Sequence, residues 1–272
     1  MSMSNEHIDS AKEGDSKQEQ RLDPAIAHHS TYIEETKQIL ATYAEVGSFD
    51  ELEHQVVEEN ILNKNTDEYR TNILREVARR YIPDTDEYVE TPLMQIVTTN
   101  LRDDVTDWCL YYEFAQDPFI RIVTVEFLYP EFERGTLTVR ATDIVEYIEA
   151  IKDDYEDLRD RSESTINEAA TKYLTSLRNF NLLEGRQKKE FAVTYVPDEA
   201  IAYVVYRLFE KGVTSASAVI EHDDWKLFLM NESEVRRRIR DISPEYVTYD
   251  KRGSTERLVR KYDSMEELID AF

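Results

Sequence analysis

Arg186, Lys188 and Lys189 crowd into the four positions after Gly185, in the stretch "NLLEGRQKKEFAVTYV". Cations packed onto a short turn suit one chemistry above others: charge-assisted hydrogen bonds to phosphate oxygens. Upstream, "STINEAATKYLTSLRNF" adds Lys172 and Arg178, with Asn167, Thr171, Thr175, Ser176 and Asn179 able to donate to phosphates or base edges. The pattern recurs later. "ESEVRRRIRDI" carries Arg236, Arg237, Arg238 and Arg240, and "EYVTYDKRGSTERLVRKY" carries Lys251 and Arg252 beside Gly253. A third basic set, Arg70, Arg75, Arg79 and Arg80, lies in "TDEYRTNILREVARRYI". Each set has a plainer reading. Glu232, Glu234 or Asp241 can pair with the arginines of 236–240. Arg70 to Arg80 can be a solvated helix end, where the macrodipole favours cations by about 0.3–1 kcal/mol each.

Other chemistry finds little support. The histidines His7, His28, His29, His54 and His222 are scattered and suggest no three-ligand metal site. "EHDD", Glu221 to Asp224, resembles a metal-site fragment, but Trp225 directly after it fits a turn or helix start. There is no GxxxxGK[ST], GxGxxG or GxSxG motif, and 6 glycines in 272 residues leave little for phosphate-cradling loops. Cys109, on an aromatic helix face, reads as a small buried hydrophobe. A non-enzymatic protein without cofactor or metal is expected.

The elements that must position these residues are mostly helices. Tyr32, Ile33, Thr36, Ile39, Leu40 and Tyr43 recur at helical spacing, and Gly47 is a natural stop. A second helix runs through "FDELEHQVVEENIL" on Leu52, Val56 and Val57. A third, capped by Thr66 or Asp67, turns Tyr69, Ile73, Leu74 and Val77 inward and its arginines outward. Two more follow, broken near "QDP", although the β-branched run Ile120 to Val125 also fits a strand. Trp108, Tyr111, Tyr112 and Phe114 read as core aromatics. After Gly135, a helix from Thr142 or Asp143 carries Ile144, Tyr147, Ile148 and Ile151.

The key helix shows a Thr165–Glu168 capping box and a stripe of Ile166, Ala169, Ala170, Tyr173, Leu174, Leu177 and Phe180. "FAVTYV" then alternates as a strand pairing back across "RQKK", which is the order of a winged helix: recognition helix, then basic wing. "PDEAIAYVVYRLFEKG" is a helix whose Ile201, Val204, Val205 and Leu208 should pack under the wing. The arginine-rich helix and second basic hairpin repeat the scheme, and "SMEELIDAF" closes the chain. The expected fold is mainly α with small β-hairpins: a tail over 1–30, a helical domain over 31–158 and a winged-helix-like domain over 159–272.

Charge is the most informative bulk property. Asp and Glu number 57 against 33 Lys and Arg, a formal net charge of -24. Dense carboxylate with few lysines fits either adaptation to molar salt or an ordinary acidic cytosolic protein. In brine near 1 M the Debye length shrinks to about 3 Å, so distant carboxylates barely repel a polyanion. Residues 159–261 hold 19 of the 33 cations but only 17 of the 57 acids, leaving the acidic excess almost entirely elsewhere. No run approaches the roughly 18 apolar residues of a membrane span, and "PFIRIVTVEFLYP" is interrupted by Arg121 and Glu126. The N-terminus has no apolar signal region, and a single cysteine fits a reducing compartment; a cytoplasmic protein is expected.

The chain resembles the BrxA family, small accessory proteins of BREX bacteriophage-exclusion systems. Four blocks in order carry the resemblance: "VVEENILNKNTDEYRTNILREVARRY", "WCLYYEFAQDPFIRIVTVEFL", "STINEAATKYLTSLRNFNLLEG" and "DDWKLFLM". The resemblance spans roughly residues 31 to 272. It implies a helical, two-part, non-enzymatic protein that binds double-stranded DNA, with an N-terminal part compared to an RNA-binding antitermination fold. It points to Lys172 and Arg178 on the helix, Arg186, Lys188 and Lys189 on the wing, and Arg70 to Arg80. The chain departs from the family in its acidity, since DNA binding there is attributed to basic surface. Arg237, Lys251 and Arg252 complete the candidate contacts. The expected partners are duplex DNA and other BREX proteins; a protein–protein adaptor and an RNA-binding factor are the rival readings.

Overall fold

The computed structural model describes Leu22 and residues 31–272 except 86 and 254. The tail expected over 1–30 therefore falls, Leu22 apart, outside the described residues. The first described stretch runs α1 (Ile33–Val46), α2 (Phe49–Glu53), α3 (Asp67–Tyr81), α4 (Pro92–Thr98) and α5 (Asp103–Phe114). Gly47, at φ 65°, ends α1 in the left-handed conformation that favours glycine. Thr66 rather than Asp67 caps α3, its hydroxyl accepting from the Tyr69 amide at 3.2 Å. α3 buries Ile73, Leu74 and Val77, whereas Tyr69, expected inward, is exposed. α2 continues through a π turn over His54–Glu58.

Residues 115–194 begin with α6 (Pro118–Ile122), which passes through a π segment, Val123–Leu128, into α7 (Tyr129–Glu133). The β-branched run is thus helical. Asp117 fixes its start, accepting from the amides of Phe119 and Ile120 at 3.0 and 3.1 Å, and burial of Val123, Thr124 and Leu128 outweighs strand propensity. Then come β1 (Thr138–Val139), α8 (Ala141–Ile151), α9 (Glu156–Arg159), α10 (Glu163–Asn179), β2 (Leu183–Glu184) and β3 (Lys189–Phe191). The strands form an antiparallel sheet in the order β1-β3-β2. Thr138 lies opposite Glu190 and Val139 opposite Lys189, while Leu183 faces Phe191. β3 stops at Phe191, so it shares only that residue with the strand expected over "FAVTYV".

The remainder holds α11 (Asp198–Glu210), α12 (Ala216–Ile220), a 3₁₀ turn over Asp223–Phe228, α13 (Glu232–Asp241), β4 (Val247–Arg252), β5 (Thr255–Arg260) and α14 (Met265–Ile269). α11 packs on α5, α13 and α14. β4 and β5 pair antiparallel from Val247–Arg260 to Arg252–Thr255.

The chain divides into two compact units. Among the described residues, one holds Leu22 and Ala115–Thr194; the other combines Thr31–Phe114 with Tyr195–Phe272. We refer to them as the inserted and composite units. The boundary expected at 158/159 lies within α9, inside the inserted unit, where an acidic run resembles a linker but Tyr155 and Leu158 are buried. The two basic helix–hairpin pairs consequently belong to different units.

Candidate nucleic-acid interface

α10 and the β2–β3 hairpin build the first candidate surface. Ser162 caps α10 by accepting from the Thr165 amide at 3.2 Å, placing the helix start before the expected Thr165–Glu168 box. The apolar stripe from Ile166 to Leu177 is buried as its spacing predicts, each large side chain contributing roughly 1.5–3 kcal/mol. The Tyr173 hydroxyl meets Thr124 Oγ1 at 2.9 Å in the core, tying α10 to the π segment of its own unit. On the other face Asn167, Thr171 and Asn179 are exposed, and Lys172, Thr175 and Arg178 are half-buried. Ser176, expected outward, is buried. Asn181 ends the helix with φ 61° and leads into β2.

At the hairpin tip, Arg186 and Lys188 are exposed. Lys189 is not: it retains 4% of its surface, and its ammonium donates back to the carbonyls of Gly185, at 3.2 Å, and Arg186. The expectation that Lys189 faces phosphate is corrected by strand alternation, which puts it beside buried Val139. Burial, and then the charge of Arg178, lower its pKa below the usual lysine value. Among the described residues, Lys172, Arg178, Arg186 and Lys188 have no carboxylate within ion-pair distance; Arg178 reaches only the Asn179 side-chain oxygen, at 3.3 Å. The acids Glu184 and Glu190 face each other in register at the base of the tip.

The α3 arginines are engaged differently. Arg70 is buried, with Nε and Nη2 donating to the Val57 carbonyl at 2.9 and 2.6 Å and Nη1 to that of Lys64 at 2.9 Å. It braces the π turn and the loop before α3, pairs with Asp67 at 2.5 Å and is buried, contrary to its expected outward position. Arg79 pairs with Glu76 at 2.7 Å. Arg80 lies 3.9 Å from the same carboxylate and over the Phe114 ring at 5.7 Å. Arg75 is exposed, 3.5 Å from Asn72 Oδ1. Arg75 and Arg79 line a groove of about 850 Å³ shared with Asp50, Glu53 and Asp84, so its walls are of mixed charge.

The second helix–hairpin pair, α13 with β4–β5, is largely neutralised from within. Glu256 takes both Lys251, at 2.5 Å, and Arg236, at 3.0 Å, and these contacts, the Lys251 hydrogen bond above all, hold its carboxyl below the usual pKa. Arg252 pairs with Asp250 at 2.9 Å and Arg237 with Glu234 at 3.3 Å. Arg238 is buried against the Val196 carbonyl, Asp198 and the Tyr195 ring. Arg240 and Arg257 are exposed without a carboxylate partner among the described residues; sequence reading passed over Arg257. Nearby, "EHDD" forms a cap, as its spacing suggests. His222 Nδ1 accepts from the Asp224 amide at 3.2 Å, and buried Asp224 accepts from Tyr112 at 2.6 Å and Lys211 at 3.2 Å. Among the described residues no cluster of His, Cys, Asp and Glu is suited to a metal ion, and no helix is long and apolar enough to cross a membrane.

A family model described as BrxA matches residues 24–207. Among curated proteins none matches the chain. A solved structure of an uncharacterized protein from Magnetospirillum magneticum is similar, with 15% identity and a TM-score of 0.57, covering 75% of this chain and 98% of that one. At that identity the likeness concerns the fold alone.

Proposed function

We propose, from the premise that this chain belongs to the BrxA family, that it is a non-enzymatic protein that contacts duplex DNA within a BREX phage-exclusion system. Membership carries the association with BREX; DNA contact, its mechanism and the absence of catalysis are our reading. The observation that carries it is the set Lys172, Arg178, Arg186 and Lys188, which among the described residues has no carboxylate within ion-pair distance, in a chain whose formal charge is -24. Elsewhere most candidate cations are matched to acids or backbone carbonyls. Supporting it, the inserted unit runs α6–α7, β1, α8, α9, α10, β2, β3 with strand order β1-β3-β2, which apart from the short α9 is the order of a winged helix.

In this mechanism α10 enters the major groove, offering Asn167 and Thr171 to base edges, as recognition helices do. Lys172 and Arg178 hold phosphates beside it, and Arg186 and Lys188 hold them at the wing. Each phosphate neutralised adds about 0.9 to the steepness of the log–log salt dependence. In the brine of a salt-adapted cytoplasm, screening within about 3 Å mutes the surrounding acids, Glu184 and Glu190 among them, while contact pairs survive. Competition between duplex DNA and structured RNA in molar KCl is the test. Duplex must win; preferential RNA binding, or no nucleic-acid binding, overturns the proposal.

A second reading, a protein–protein adaptor of the BREX assembly, is favoured by Leu137 and Val193. Leu137 is 82% exposed and Val193 wholly so, both on the inserted unit. That reading predicts co-purification with other BREX proteins that is lost in a Leu137→Asp/Val193→Asp variant, together with no duplex binding.

A further inference from the structure

We infer that Lys189 is a positioning residue: tied to the carbonyls of Gly185 and Arg186, it fixes the wing tip so that Arg186 and Lys188 meet phosphate already arranged. The inference rests on the DNA-binding reading above and deepens it.

Three observations converge on this role. Lys189 is anchored at its backbone by its pairing with Val139, so its ammonium reaches back over the tip from a fixed origin. Itself only 4% exposed, it spends its donors on two carbonyls of an otherwise exposed turn. The turn itself has no slack. Gly185 sits at φ 87°, and a Cβ there would run into the Lys188 carbonyl oxygen. A buried ammonium beside the positive Arg178 is unfavourable by itself, as the lowered Lys189 pKa records; the turn carbonyls are what compensate it. A flexible tip would have to be ordered on each binding event, and holding it in advance removes that cost.

The experiment uses the full chain and a short DNA duplex, comparing wild type, Lys189→Met, Gly185→Ala and Arg186→Ala. Backbone ¹⁵N relaxation at 185–188 without DNA reports tip order; titrations over a range of KCl report affinity and salt slope. Lys189→Met is expected to loosen the tip and weaken binding about fivefold, with the salt slope unchanged. Gly185→Ala gives the same pattern by a second route, should Lys189→Met fold poorly. Arg186→Ala lowers the slope by about 0.9. A slope that falls equally in Lys189→Met makes Lys189 a direct phosphate contact and overturns the inference, as does a tip equally ordered in wild type and variants. Absence of duplex binding by wild type removes the DNA-binding reading and this role with it, while the relaxation data still decide whether Lys189 holds the turn.

Discussion

Arg70 and Lys189 carry the same charge as Arg186 and Lys188 and are used in the opposite way. A cation folded back onto main-chain carbonyls has its donors occupied; one left in solvent without a carboxylate is available to a ligand. Arg70 serves two carbonyls, of Val57 and Lys64, from a buried position. Replacing it with Met strands both acceptors, at about 1–3 kcal/mol for a buried unsatisfied group. Urea unfolding of Arg70→Met should register that loss, while duplex affinity stays at the wild-type value. A stable variant with weakened DNA binding would instead place Arg70 at the interface. Sequence could not separate these cases, because a lysine or arginine on a helix or strand reads as exposed unless its partners are known. Arg70 does have a periodic partner, Asp67 at i−3 and 2.5 Å, but the contacts that bury it go to the preceding π turn and loop, and those of Lys189 to its own turn; neither of these leaves a periodic signal.

α10 was legible because its signals agree: a seven-member apolar stripe, small residues within it, and a hydroxyl residue at its start. Besides Ser176, which turns inward, the cap differed, Ser162 taking the place read for Thr165, since "RSEST" offers several hydroxyls within a few positions. Ser162→Ala should cost about 0.5–2 kcal/mol, read as a lower thermal midpoint, whereas Thr165→Ala should cost less. Equal losses would assign the cap to neither. The strands were less legible for a physical reason. β1 is two residues long and exists through its pairing with β3, so nothing in "TLTV" marks it off from a loop. In "FAVTYV" the alternation continues to Val196, but the cross-strand bonding ends with the Ala192 amide donating to the Leu182 carbonyl at 3.0 Å. Conversely, Ile120 to Val125 looks like a strand and is helical, because Asp117 caps it and Val123, Thr124 and Leu128 are buried in that conformation.

Across the whole chain, the acidic surplus and the basic helix–hairpin pairs were readable from counting, but the two units were not. The chain leaves one unit at 114 and returns to it at 195, and no composition shift marks either crossing. Both units share one pH liability. Burial pushes the phenols of Tyr155, in the inserted unit, and Tyr246, in the composite unit, up to about 12. Unfolded tyrosine ionises near 10.0, so the folded state holds its proton longer than the unfolded chain does. Their stability contribution is therefore full below about pH 10 and is lost as pH rises toward 12. Melting midpoints at constant KCl should fall across that window, and a level midpoint would contradict it. The functional account itself turns on where positive charge is left unpaired, and one comparison tests that most directly. Duplex binding is titrated against KCl for wild type, for Lys172→Ala/Arg178→Ala/Arg186→Ala/Lys188→Ala, and for Arg79→Ala/Arg237→Ala/Lys251→Ala/Arg252→Ala, which removes as many cations from paired positions. The account predicts that the first variant loses binding and its salt dependence, at about 0.9 in slope per phosphate contact, while the second binds as wild type. Equal losses in the two variants, or none in the first, would contradict it.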